Sequence, residues 1–222
     1  MKIIRTDAEG GEIIQGSDAW KMLRVGMLTG TGITNILPGK TGKYKESRQN
    51  ELDEIVTEII TGKPSGGFFA TKFVKEGIER EPMARMYLEE RYGYVIEEVA
   101  FVQHDWMKVG VSPDGMVIGQ KRNVEIKCPK DRTHLRYWLE DTMPDTYVHQ
   151  VQSQMWLTGA ELTDFASYHP DFPDDMDLQV IQVERNPSMI DMIENEVGTF
   201  LSEVNVQVNR VKERRENRKG NP

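Results

Sequence analysis

Residues 109–129 read VGVSPDGMVIGQKRNVEIKCP, and the organisation of the chain turns on them. Two runs rich in apolar residues, 109–118 and 124–129, flank a short turn of Gly, Gln, Lys, Arg and Asn, which predicts two strands joined as a hairpin. In the second run the side chains alternate, so Val124 and Ile126 face one side and Glu125 and Lys127 the other. The carboxylate of Glu125 and the ammonium of Lys127 then stand side by side, their alpha carbons roughly 6.5 Å apart. Asp114, closing the first run, brings a second carboxylate to the same edge.

Two acids and a lysine on one strand edge suit metal-assisted hydrolysis of a phosphodiester. Carboxylates hold hard divalent cations, which prefer oxygen ligands. Such ions lower the pKa of a bound water and stabilise attacking and leaving oxygens. The lysine orients the water or offsets charge growing on the phosphate. The triplet alone leaves a second reading open: a solvated strand face with an incidental ion pair, common in a chain this charged.

Composition narrows the field. With 222 residues the chain fits a single domain able to bury a real core, and its one cysteine, Cys128, excludes an internal disulfide framework and a cysteine-rich zinc site. No apolar run approaches the roughly 20 residues of a membrane span, and Asp7, Glu9 and Glu12 interrupt any leader-like stretch, so the expected location is cytoplasmic, with no membrane partner. A formal net charge of −8 argues against a general nucleic-acid coat. It leaves room for an enzyme whose basic residues are gathered along one channel.

Upstream, QGSDAWKMLRVGMLTGTGITNIL (residues 15–37) predicts a short helix capped by Ser17 or Asp18, with Trp20, Leu23 and Met27 on its apolar stripe. Arg24 follows on that helix, and Thr29 and Thr31 sit in a hydroxyl- and glycine-rich turn before a second helical start. Such a turn with a nearby arginine can cradle a phosphate, or be simply a helix, a turn and another helix. GKTGK (39–43) lacks the spacing and preceding strand of a P-loop and falls in a basic surface loop.

Residues 51–60 carry a helical apolar stripe, and a long helix is expected over 71–92, through Pro82 and with Glu81 on it. Residues 94–103 read as the first strand of the sheet. PDTYVHQVQSQMWLTGA (144–160) reads as a helix opened by Pro144 and stopped by Gly159, with Gln150, Gln152 and Gln154 on its polar side. Two further strands follow, then an amphipathic helix from Ser188 that is expected to fray into a flexible charged tail from about residue 212.

Taken in order, QGSDAWKMLRVGMLTGT, GIEREPMAR, VSPDG, VEIKCP and HQVQSQMWLTG resemble the phage lambda exonuclease family, within the PD-(D/E)xK restriction-endonuclease-like nucleases. The resemblance implies an α/β fold, a central mixed β-sheet flanked by α-helices, as a single nuclease domain over residues 1–222. It makes Asp114, Glu125 and the backbone carbonyl of Ile126 metal ligands, with Glu81 completing the site. Lys127 becomes the catalytic lysine and Gln152 the active-site glutamine, with Gln150 the alternative if the register is off by two. Arg24 would bind a 5′-terminal phosphate, helped by the hydroxyls of Thr29 and Thr31. Two Mg2+ ions are expected, with Mn2+ able to substitute.

The family implies 5′→3′ digestion of linear double-stranded DNA ends to mononucleotides, leaving 3′ single strands for recombination. It also implies a ring-shaped homotrimer, a single-strand annealing protein as partner, and a phage or prophage origin in a bacterial host. Phe73 and Val74 fall where a strand-splitting wedge is expected, or serve core packing. Alternatives are a single-strand or structure-specific nuclease of this fold, and a DNA-end-binding module without turnover.

Overall fold

The computed structural model describes residues 1–39, 41–65 and 72–219, apart from the side chains of residues 72–75 and 78. Phe73 and Val74, the wedge candidates, therefore have side chains outside the described residues. The first third of the chain forms strand β1 (Lys2–Ile4), helix α1 (Asp18–Leu23), β2 (Leu28–Thr29), α2 (Gly30–Ile36) and α3 (Glu46–Thr61). Then come α4 (Lys72–Tyr92) and four strands: β3 (Ile96–Glu97), β4 (Phe101–Gln103), β5 (Val109–Val111) and β6 (Gly115–Val117). The remainder is β7 (Arg122–Lys127), α5 (Asp131–Glu140), α6 (Asp145–Thr158), β8 (Leu162–Tyr168), β9 (Leu178–Glu184) and α7 (Pro187–Lys219).

These elements gather into two compact units, each assembled from separated stretches of chain. Unit 1 comprises Met1–Gly67, Ala100–Val111 and Pro187–Pro222; unit 2 comprises Phe68–Val99 and Ser112–Asn186. Unit 1 holds a four-stranded sheet in the order β1-β4-β5-β2, and unit 2 a five-stranded sheet in the order β3-β6-β7-β8-β9. Both sheets are mixed. In unit 2 only β7 and β8 run parallel, and the other neighbours are antiparallel.

The expected hairpin is realised only in its second half. The run 109–118 breaks at Ser112–Asp114: β5 pairs with β2 and β4 in unit 1, and β6 pairs with β7 in unit 2. Pro113 offers no amide donor to a ladder, so the strand ends where that residue stands. Likewise 94–103 is two strands, β3 and β4, in different sheets. α7 continues helical through the charged stretch to Lys219, beyond the fray expected near residue 212.

Local signals account for the helix ends. The Ser17 hydroxyl accepts from the Trp20 amide at 3.2 Å and caps α1. Gly159, at φ 75°, closes α6 in a left-handed conformation that costs glycine little. In unit 1, α7 turns Ile190, Ile193, Val197, Phe200, Val204 and Val208 inward at helical spacing. In unit 2, Val124 and Ile126 of β7 pack with Ala84 and Leu88 of α4, Ile96, Val117 and Ala166. Each large apolar side chain sealed there contributes roughly 1.5–3 kcal/mol. That packing fixes which face of β7 is left for Glu125 and Lys127.

Candidate active site

The site begins where two strands part. β6 pairs with β7 only at Gly115↔Val124 and Met116↔Asn123, so residues 125–127 continue without a partner on that side. Asp114, just before β6, fills the gap: its Oδ2 accepts the Ile126 amide at 2.7 Å. A residue in an extended strand points its N–H and C=O to the same side, so the Ile126 carbonyl also faces the opening. Gly115 is required beside it, because a Cβ there would lie 2.3 Å from Cγ2 of Ile96.

Glu125 is fully buried and Lys127 lies beside it on the same face of β7. The Lys127 ammonium pairs directly with Glu125 Oε1 and stands 4.0 Å from Asp114 Oδ2, with the Tyr147 ring centroid 5.4 Å from it. The two acids and the amine singled out in the sequence therefore converge. Burial pushes the Asp114 carboxyl well above the usual carboxylate range, and the Glu125 charge adds to that; Lys127 acts against both. Burial alone would lower the Lys127 ammonium, but the Glu125 and Asp114 carboxylates outweigh it and hold it raised. The amine stays charged at neutral pH. Cys128 is pushed up to about 12, mainly by burial, which excludes the thiolate a nucleophile needs.

α6 supplies amides to the same carboxylate. Gln150 Nε2 donates to Glu125 Oε1 at 2.7 Å, and Gln154 Nε2 donates to Oε2 at 2.6 Å. Gln152, the glutamine assigned to the active site, points elsewhere: its Nε2 donates to the Glu184 carbonyl at 2.8 Å and its Oε1 accepts the Asn186 amide at 2.8 Å. Residues two apart on a helix do not face the same way, whereas residues four apart do. Gln150 and Gln154 share the acidic face, and Gln152 anchors the end of β9. The alternative register, with Gln150, is the one the geometry favours.

Glu81 on α4 lies in a separate arm of the network. Arg85, one turn on, meets Glu81 Oε1 at 3.3 Å, Glu98 Oε1 at 2.5 Å and the Asp114 carbonyl at 3.2 Å. Burial raises the Glu81 carboxyl, Arg85 and Lys127 oppose this, and the Glu98 and Glu125 charges add to it. Sequence reading missed Arg85 and gave Gln154 no role of its own. The spacing of Glu81 and Arg85 in GIEREPMAR, four apart on one helix, is the signal for the former.

Among the described residues no three of His, Cys, Asp and Glu form a ready-made metal cage, since Lys127 bridges one acid pair and Arg85 holds the third acid. The donor chemistry nonetheless fits a hard cation: two carboxylates in a desolvated, mutually repelling cluster and a backbone carbonyl facing the same opening. Mg2+ is usually held by one or two carboxylates together with water and substrate phosphates. Asp114, Glu125 and Ile126 offer that set.

The three phosphate-site candidates belong to unit 1. Arg24 forms the C-cap of α1, its guanidinium 3.8 Å from the Trp20 ring centroid. Its buried Nε has no hydrogen-bond partner among the described residues, and burial lowers its pKa against the opposing charges of Glu58 and Glu51. Thr29 is the N-cap of α2 but makes no side-chain capping bond, and Thr31 lies exposed in the first turn.

Comparison with known proteins places the chain among exonucleases and viral recombinases. Residues 19–161 match the model of the YqaJ-like viral recombinase domain. The crystal structure of an alkaline exonuclease, LHK-Exo, from Laribacter hongkongensis is 30% identical, with a TM-score of 0.82, covering 90% of this chain and 99% of that one. A second crystal structure, of LHK-Exo in complex with dAMP, matches at 31% identity and a TM-score of 0.81, over 90% of this chain and 99% of that chain. The structure of a phage-related exonuclease from Haemophilus somnus 129PT shares the fold at 15% identity and a TM-score of 0.68, covering 83% and 96% of the two chains. A comparison with curated proteins gives no match.

Proposed function

The chain belongs to the lambda exonuclease family through its YqaJ-like viral recombinase domain, and on that premise we propose that it is a metal-dependent exonuclease of double-stranded DNA. It degrades linear duplexes 5′→3′ to mononucleotides and leaves 3′ single strands for recombination by annealing. The observation that carries this reading is the convergence of Asp114, Glu125 and Lys127 where β6 and β7 part. The relative crystallised with dAMP supports a nucleotide product.

The residues divide the work. Asp114, Glu125 and the Ile126 carbonyl would hold Mg2+ or Mn2+, two ions in all, with Glu81 completing the set once released from Arg85. When bound, such ions acidify a water and stabilise the charge of both the attacking and leaving oxygens. Lys127, kept protonated by its two acidic neighbours, donates hydrogen bonds toward the attacked phosphate and offsets its developing charge. Gln150 and Gln154 orient Glu125 without neutralising it. Arg24, Thr29 and Thr31 take the 5′-terminal phosphate, the guanidinium Nε and the Thr29 hydroxyl, which makes no capping bond, serving as donors.

The assembly proposed is a homotrimeric ring that encircles duplex DNA, which gives a chain of net charge −8 a hold on a polyanion without broad affinity. A single-strand annealing protein is its partner on the exposed strand, in the cytoplasm of a bacterial host carrying a phage or prophage. Among the described residues no helix is long and apolar enough to cross a membrane.

The test is cleavage of linear duplexes with and without Mg2+, comparing 5′-phosphorylated with 5′-hydroxyl ends. Asp114→Ala serves as the inactive control. Cleavage confined to the wild type with Mg2+, and faster from phosphorylated ends, is the expected result. Equal rates from both ends overturn the phosphate reading, and cleavage by Asp114→Ala overturns the site.

A further inference from the structure

We propose that Gln154, with Gln150, forms a neutral fork that sets how Glu125 meets a divalent cation, an inference that rests on the metal-dependent reading above. The two amides come from successive turns of α6 and reach one carboxylate, Gln150 at Oε1 and Gln154 at Oε2. Gln154 is 1% exposed, and its own Oε1 is buried with no hydrogen-bond partner among the described residues. Leaving that oxygen unpaired is unfavourable. The chain tolerates it while keeping the amide aimed at Glu125.

The chemistry of the fork follows from counting acceptor positions. An ionised carboxylate offers about four lone-pair directions. Lys127 and Gln150 occupy Oε1, and Gln154 occupies one direction at Oε2. Among the described residues no further donor reaches Oε2, so by this count one of its directions is left for a cation. Amides carry no net charge, so the fork holds the plane of the carboxylate while leaving its full negative charge for a cation. An arginine or lysine in either place would cancel it. The open direction suits a cation taking one oxygen of the carboxylate, the manner of small octahedral Mg2+; larger Ca2+ readily takes both. Gln154 and Gln150 are thus positioning residues that act through Glu125.

The test uses the full chain and the variants Gln154→Met and Gln150→Met, which keep side-chain length and lose the donor. Mg2+ and Ca2+ binding are measured by titration calorimetry without DNA, folding by circular dichroism, and Mg2+ half-saturation of cleavage on linear duplex. Gln154→Met is expected to weaken Mg2+ about ten-fold, the usual scale for a residue that orients a metal ligand. The Mg2+ half-saturation should rise by the same factor, the KM for duplex should hold, and the preference for Mg2+ over Ca2+ should shrink. Variants with wild-type Mg2+ affinity and wild-type preference overturn the fork. Should Gln154→Met fail to fold, the half-buried Gln150→Met decides the matter by the same readouts. A wild-type chain that neither binds Mg2+ nor cleaves DNA overturns the proposed function itself; one that does both beside unaltered variants sinks only the fork.

Discussion

The interiors of the two units are built from different chemistry. Among the described residues, every buried polar or charged side chain except Arg48 belongs to unit 2: Glu125, Asp164, Asn123, His134, Gln154 and the others. Two helices show the contrast at close range. α7 in unit 1 buries only aliphatic residues and Phe200, whereas α6 in unit 2 buries Gln152, Ser153 and Gln154 among its apolar residues. Burying an ionised carboxylate costs several kcal/mol unless partners recover it. Unit 2 recovers it at Glu125 with three donors from two elements. An interior that sustains this cost is organised for chemistry; one that avoids it is organised for rigidity.

The sharpest way to break that contrast is to remove the amine at its centre. Lys127→Met should reduce cleavage by about 10²- to 10³-fold, the scale for losing one donor to a developing oxyanion. It also leaves the buried Glu125 and half-buried Asp114 carboxylates facing each other without their cation, and the melting temperature should fall. A variant that cleaves within three-fold of wild type sinks the catalytic role of Lys127. Next in size, Phe200→Ala in unit 1 should destabilise by about 3–5 kcal/mol through the cavity left behind. Denaturant unfolding measures this, and Mg2+ affinity in the folded fraction should not change.

Gln152→Ala separates structural polar burial from the catalytic kind. It strips partners from the Glu184 carbonyl and the Asn186 amide and should cost about 1–3 kcal/mol, with Mg2+ affinity kept. A ten-fold loss of Mg2+ affinity in that variant would return Gln152 to the metal site. The smallest effect on stability is expected from Asp114→Asn. Folding raises the Asp114 carboxyl, so the folded chain holds that proton more tightly than the unfolded one. The group then favours folding below the ordinary carboxylate range, and this contribution is lost as pH rises through the raised value. Replacing it should therefore lift the melting temperature near pH 8. The gain should vanish toward pH 4, while cleavage is abolished.

Much of this was legible in the chain because it is local. Periodicity marked α7, α6 and α3, Ser17 and Gly159 marked helix ends, and the alternation of 124–127 set Glu125 and Lys127 on one face. The division of 109–118 and of 94–103 between two sheets was not legible, because a strand's pattern records its burial and not its neighbour. The glutamines teach a related lesson. A polar side read across 150, 152 and 154 ignored helical geometry, which brings only the first and last to Glu125. Arg85 escaped notice although its spacing from Glu81 is local, because its other partners, Glu98 and the Asp114 carbonyl, meet it only in the folded chain.

The side-chain bond from Asp114 to the Ile126 amide has a practical consequence. One main-chain proton is tethered to the acid proposed to engage a cation, so a nitrogen-labelled sample carries an internal reporter. When an ion draws charge from that oxygen, the resonance of residue 126 should shift upfield, before any substrate is added and without a probe being attached.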